Sequence, residues 1–343
     1  MKSIRLSLVL TSMALVFGAG VAVAQTITLK VHHFLPAAST TQAQLIQPWC
    51  DRIARESQQR IKCQIYPSMQ LGGTPAQLID QVRDGVADVI WTLPGYSAGR
   101  FPMLEVFELP FMMRGTEATS RAVWDFMQQD GAAELRDVHP LAIHVHSAGA
   151  FHLSKRPIQT MADLRGLKLR APTRQTNRLL AALGATPVAM PVPQVSEAIA
   201  KSVIDGALLP YEVVPSVKIQ ELVKFHSETD PAEPAIYTST CLLAMNKARY
   251  DSLPPDLRRV IDAASGAELS AMAGRVFEAA DEPGRKLTQA NAHNRIAPAE
   301  LQRWKAAAQS VSDAWVADMQ GRGGDGRALL AKARGLIARY ASN

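Results

Sequence analysis

A chain of 343 residues, 47% hydrophobic and 20% charged, has the make-up of a folded globular protein, which excludes a disordered or fibrous one. Its length exceeds what one hydrophobic core normally serves, so two domains are expected. The formal charge of +6 is mild, no dense basic run stands out and aromatics make up only 6%, so the footprint of a nucleic-acid-binding protein is missing.

Lys2 and Arg5 precede an apolar run over 6–17, and Ala22-Val23-Ala24 stands ahead of Gln25. A charged start, an apolar middle and a small-x-small end describe a secretory leader, residues 1–24, with cleavage expected after Ala24. A spanning helix needs about 20 apolar residues, whereas Thr11, Ser12 and Gly18-Ala19-Gly20 interrupt this one. No Cys follows the apolar run, so no lipid anchor is expected. Export makes a disulfide possible. Cys50 falls in a helical pattern and Cys63 in the alternating segment that follows; they either pair or stay as two buried thiols. Cys241 reads as a small core hydrophobe.

In chain order, 27–31 alternates as a strand does. Leu45, Ile46, Trp49, Cys50, Ile53 and Ala54 recur at helical spacing, with Pro48 imposing a kink or a late start. Another strand is expected at 61–65, then a break at Gly72-Gly73, a helix at 75–83 and an apolar strand within 87–93. Helices are predicted at 117–129, 174–183 and 194–202, and strands at 141–146, 167–171, 187–190 and 207–210. Strands separated by helices argue parallel α/β sheets. Segments 77–90 and 197–209 look alike, each running helix, Asp-Gly, short apolar strand, as two domains of like architecture would. From Pro254 onward the pattern turns helical: 256–290, 299–320 and 327–340. Trp304, Ala308, Val311 and Trp315 give the second of these an apolar side.

Several motifs invite a chemical reading and lack its context. Gly95-Tyr96-Ser97-Ala98-Gly99 matches the nucleophile elbow of hydrolases, but a helix must follow it and Arg100-Phe101-Pro102 follows instead. An exported serine hydrolase using Ser97 is therefore the alternative reading, not the favoured one. Gly321-Arg-Gly323-Gly-Asp-Gly326 matches a dinucleotide fingerprint but follows a helix rather than a strand. His144 and His146 share one face of a strand, with His32, His33 and His152 elsewhere; a metal needs three or four converging ligands. No metal and no other cofactor is expected.

Gly166-Leu-Lys-Leu-Arg170-Ala-Pro172-Thr173 is different: it puts an Arg at the end of a short apolar strand, just before a helix start. In open α/β sheets, ligands bind beyond the strand C-termini. A guanidinium there offers a planar fork matched to a carboxylate, and the helix start adds positive potential. On pattern alone, an Arg paired with a nearby acid is equally compatible.

At these residues the chain resembles the solute receptors of tripartite ATP-independent periplasmic (TRAP) transporters, the DctP-like family. The matching pieces run in order along the mature chain: Ile65-Tyr-Pro-Ser-Met-Gln-Leu-Gly-Gly73, Val82-Arg-Asp-Gly-Val-Ala-Asp88, Val106-Phe-Glu-Leu-Pro-Phe111, Met161-Ala-Asp-Leu-Arg-Gly-Leu-Lys-Leu-Arg-Ala-Pro172, Leu183-Gly-Ala-Thr-Pro187, Val203-Ile-Asp-Gly206 and Met245-Asn-Lys247. The resemblance implies a type II-like, two-lobed periplasmic-binding-protein fold. Lobe I would span 25–147 plus about 236–275 and lobe II 148–235 plus about 276–343, with long helices bridging them. It also implies a binding protein rather than an enzyme. Such a receptor closes on an organic acid in the periplasm and hands it to the membrane permease of a TRAP transporter. Service to another transporter or a sensor is a further alternative. A monomer is expected, with dimerisation through the C-terminal helices left open.

In the family, the Arg after Gly-Leu-Lys-(Leu/Ile) binds the ligand carboxylate, which points here to Arg170. The rest of the site departs from sugar-acid receptors, which carry an acid, an Arg and an Asn where this chain has Leu93, Tyr96 and Leu209. They also carry a second Arg near 149–151, where this chain has Phe151. Trp91, Leu93, Tyr96, Phe151, Leu208 and Leu209 would make an apolar or aromatic lining, hostile to unpaired hydroxyls. The expected ligand is therefore a carboxylate with an apolar or aromatic body. Phe34 is placed in the site as well. His33, Arg174, Tyr211 and Tyr237 are the candidates for binding a second polar end, which keeps a dicarboxylate open.

Overall fold

The structure, a computed structural model, describes residues 26–342; the expected leader and its cleavage point lie outside them. One sheet holds β1 (Ile27–His33), β2 (Ile61–Tyr66), β3 (Val89–Thr92), β4 (Val138–Val145) and β10 (Thr240–Asn246), in the order β2-β1-β3-β10-β4. The other holds β5 (Gly149–Leu153), β6 (Lys168–Ala171), β7 (Thr186–Ala189), β8 (Gly206–Pro210), β9 (Phe225–Glu228) and β11 (Ala292–Arg295), in the order β11-β9-β5-β8-β6-β7. This is the expected two-lobed α/β fold with mixed sheets.

Helix-linked strands run parallel: β1 with β2 and β3, β6 with β7 and β8. One reversed strand enters each sheet from the other lobe. β4 leads through 146–148 into β5, which lies antiparallel between β8 and β9. β9 leads through 229–239 into β10, antiparallel between β3 and β4. The two crossovers lie side by side, His146 N donating to Ser239 O at 3.3 Å and Gly149 N to Tyr237 O at 3.1 Å.

The look-alike segments are structurally equivalent, in a register different from the one their Asp-Gly pairs suggest. Asp88 N donates to Lys30 O and Lys30 N to the Asp88 carboxylate, at 2.9 and 2.8 Å. Asp205 and Lys168 repeat this at 2.7 and 2.9 Å. Asp88 therefore matches Asp205, each closing the edge between two parallel strands. The left-handed turn residue before it is Gly85 in one lobe (φ 79°) and Ser202 in the other (φ 56°).

Pro48 sits at the start of the Gln47–Glu56 helix, which follows a wide turn over Thr41–Ile46. Cys50, on that helix, is bonded to Cys63 on β2, across a Cα separation of 5.7 Å. The helical tract after Pro254 is divided, by Gly266 (φ 86°) among others, into Pro255–Ala263, Ala267–Ala279 and Asp281–Leu287. The long Pro298–Gly321 helix bridges both lobes. Its Trp304 packs against Phe151 in the second lobe, and its Trp315 Nε1 donates to Pro102 O at 2.9 Å in the first. The Gly326–Ala341 helix lies against Thr116–Phe126, beside the first sheet, although 276–343 was expected with the second lobe.

Candidate functional site

The C-terminal ends of β1, β3, β6 and β8 converge on one cavity between the lobes, where open α/β sheets bind ligands. Along β6, Leu169 and Ala171 enter the second lobe's core, so the pleat turns Arg170 to the cavity. Arg170 is 1% exposed. Its Nε donates to Met190 O at 3.0 Å, its Nη1 to Leu208 O at 2.9 Å and its Nη2 to Tyr96 Oη at 3.4 Å. Those bonds use three of the five N–H groups that a guanidinium carries, leaving one on each terminal nitrogen. No carboxylate lies in salt-bridge range of Arg170 among the described residues, so the alternative of an Arg paired with an acid does not hold. The result is a buried charge without a counter-charge, an arrangement that favours an incoming anion.

Tyr96 adds a donor. Its oxygen accepts from Val192 N at 3.1 Å as well as from Arg170, so its own hydrogen is free to point elsewhere. The walls are aromatic. Phe34 packs against Trp91 and Tyr96 at ring distances of 5.2 and 5.5 Å, and Phe277 lies 6.2 Å from Trp91. Trp91 Nε1 donates to His144 Nε2 at 3.0 Å, so its polar atom is satisfied within the first lobe. Burial lowers His144 to about 4, keeping that acceptor neutral near pH 7. Leu93 and Leu209 close the apolar lining.

The cavity therefore gathers Arg170, Phe34, Trp91, Leu93, Tyr96, Leu209 and Tyr237. It does not gather the other sequence candidates. Phe151 pairs with Leu208 across β5 and β8, and the pleat turns both into the core beside Trp304. Tyr211 stacks under the Arg285 guanidinium, 4.1 Å from its ring centroid, beside His152 and His226. His33 is tied to Gln42 at 2.9 Å. Arg174 is engaged by Glu105 and Asp318, at 2.5 and 2.9 Å. Its neighbour Gln175 also reaches Glu105, so this cluster ties the lobes together instead of lining the cavity.

Among the lining residues that the sequence candidates did not include are Phe277, Glu212 and His146. Phe277 belongs to the Ala267–Ala279 helix. Glu212 lies two residues beyond β8, and His146 on the first crossover. The last two are polar; the chain crossing between the lobes brings His146 to the cavity, and the end of β8 brings Glu212. Ser97 Oγ donates to Ala76 O at 3.2 Å and, among the described residues, has no hydrogen bond to an imidazole. Gly321–Gly326 joins two helices. Among the described residues, no group of three or more His, Cys, Asp or Glu side chains could hold a metal ion.

Residues 31–318 match the bacterial extracellular solute-binding protein family 7, DctP. The chain belongs to this family. It is a TRAP solute-binding receptor, and its similarity to solved receptors runs nearly end to end. A TRAP solute-binding protein from Rhodoferax ferrireducens T118, in complex with copurified benzoate, is 53% identical with a TM-score of 0.91, over 92% of this chain and 99% of that one. A marine metagenome TRAP receptor described as specific for aromatic acid ligands, holding metahydroxyphenylacetate, is 41% identical with a TM-score of 0.90, over 92% and 99%. A Bordetella bronchiseptica receptor with bound (R)- and (S)-mandelate is 26% identical with a TM-score of 0.84, over 91% and 99%.

Proposed function

We propose that this receptor captures an aromatic monocarboxylic acid in the periplasm, after cleavage behind Ala24, and delivers it to a TRAP membrane permease. The observation that carries this reading is Arg170: buried, unpaired with any acid, and facing an aromatic cavity. In it, the two free guanidinium N–H groups and the Tyr96 hydroxyl take the carboxylate by charge-assisted hydrogen bonds. Phe34, Trp91 and Phe277 bury the ring. A sugar acid would leave its hydroxyls unpaired against Leu93 and Leu209.

The contacts come from both lobes, Arg170 from the second and Trp91 and Tyr96 from the first, so they assemble only on closure. The acid thus shifts the open–closed equilibrium by its preference for the closed form. Bonds at the lobe junction, Tyr96 to Arg170 and Val192, and Glu105 to Arg174 and Gln175, support the closed form. The receptors holding benzoate, metahydroxyphenylacetate and mandelate support the same ligand class.

The test is thermal unfolding of the refolded mature protein against aromatic monocarboxylates, branched aliphatic acids, dicarboxylates and sugar acids. An acid at about 100 times its dissociation constant stabilises by roughly 2.7 kcal/mol. The reading predicts shifts confined to aromatic acids; a response to sugar acids alone would refute it.

A further inference from the structure

The cavity carries a second set of polar groups besides Arg170 and Tyr96. Where the two crossovers meet they carry His146 and Tyr237, and Glu212 stands beside them at the end of β8. Tyr237 is 1% exposed, and its hydroxyl has no hydrogen-bond partner among the described residues. Buried polar groups are nearly always satisfied, so an orphan of this kind calls for an explanation. His146 donates through Nδ1 to Ser147 O at 2.6 Å, which leaves Nε2 as a bare acceptor. Glu212 is 6% exposed and forms no ion pair among the described residues. Burial, with Asp281 nearby, pushes its carboxyl well above the usual range, so it holds its proton.

This set lacks the cation that a second carboxylate would need. It combines donors, the Tyr237 hydroxyl and the Glu212 acid, with an acceptor, His146 Nε2. A hydroxyl group, which both donates and accepts, fits such a set; a bare ring edge leaves it unsatisfied. We propose that His146, Glu212 and Tyr237 read a hydroxyl on the ring of the bound acid, so that the receptor prefers a hydroxylated aromatic acid to the unsubstituted one. This rests on the aromatic-acid reading above.

The experiment titrates the refolded mature protein with benzoate and with its ortho, meta and para hydroxy derivatives. At least one isomer should bind about tenfold or more tightly than benzoate, because a site built to pair a hydroxyl rejects the analogue that lacks it. In Tyr237→Phe and Glu212→Leu, that ratio of affinities should collapse to roughly threefold or less. Unfolding of ligand-free Tyr237→Phe should match the wild type, since its hydroxyl has no partner to lose, and this controls for folding. Wild-type benzoate binding as tight as that of every isomer would overturn the proposal and leave the aromatic reading standing. An intact ratio in both variants, with all four acids weakened alike, would also overturn it, by assigning Tyr237 to the carboxylate with Arg170. Binding of none of the four would overturn both readings.

Discussion

Arg170 is held by two backbone carbonyls, so the plane of its fork is set before any ligand arrives, and little entropy is lost when an anion docks. That geometry makes lysine a poor replacement: it keeps the charge but cannot reach Met190 O, Leu208 O and a carboxylate together. Arg170→Lys should weaken binding of an aromatic acid about a hundredfold, or ~2.7 kcal/mol, as loss of charge-assisted bonds does. Calorimetry would measure it, and an unchanged affinity would remove the fork from the account. Arg170 was legible in the sequence because an Arg ending a short apolar strand before a helix suits an anion or a nearby acid, and the resemblance chose between them. Phe151 was misplaced because its strand's facing depends on pairing with Leu208, which periodicity in one strand does not reveal. Glu212 carries no local signal, and the pairing of His146 with His144 on one strand face does not say which cavity either one meets.

At the scale of elements, the Cys50–Cys63 bond ties a helix to the strand that follows it, closing a loop with a sequence separation of 13. Cys50→Ala with Cys63→Ala should cost about 3 kcal/mol in urea unfolding, the entropy of a loop of that size. A midpoint unchanged by the double substitution would contradict this. Gly149 opens β5 directly under the Tyr237 ring, where an added Cβ would stand 1.8 Å from the nearest ring carbon. Gly149→Ala should therefore push Tyr237 toward the cavity and reduce acid binding, besides destabilising by about 1–3 kcal/mol. Binding and unfolding measured on the same sample would separate the two effects. Helix 299–320 was readable because Trp304, Ala308, Val311 and Trp315 mark one buried side. β9 and β11 were not: Phe-His-Ser-Glu and Ala-His-Asn-Arg are short and mostly polar, the second at an exposed sheet edge.

Over the whole molecule, buried histidines set the response to acid. Burial lowers His33, His144 and His152 to about 4, and His146 and His226 to about 3, from 6.5. In the unfolded chain they take up protons near 6.5, in the folded one only near 3–4, so they lower stability as pH falls through that window. Burial acts oppositely on carboxyls, raising Glu108 and Glu134 to about 7 and Asp281 to about 6. These keep protons that the unfolded chain releases near 4, so they favour folding as pH falls from 7 to about 4, and add nothing further below it. The two sets oppose each other between about 4 and 6.5, five histidines against three carboxyls, and below 4 only His146 and His226 still lower stability. Urea midpoints should accordingly fall on acidification from about pH 6.5 downward; a midpoint rising on acidification from 5 to 4 would contradict the sign.

The two-lobed plan was legible from the alternation of helices and strands and from the repeated segment, because each lobe's parallel part is built from local units. The exchange of β5 and β10 between lobes was not, since a strand's partner sheet leaves no trace in its own period. That exchange places the crossovers at the floor of the cavity, so ligand contact and lobe movement share residues. The most direct test of a carboxylate held by Arg170 between closing lobes is calorimetric titration of the stripped mature protein with benzoate, beside Arg170→Ala. Saturable binding at one acid per chain by the wild type, abolished in a variant that unfolds at an unchanged midpoint, is the predicted result. Equal affinity in the two proteins would contradict it.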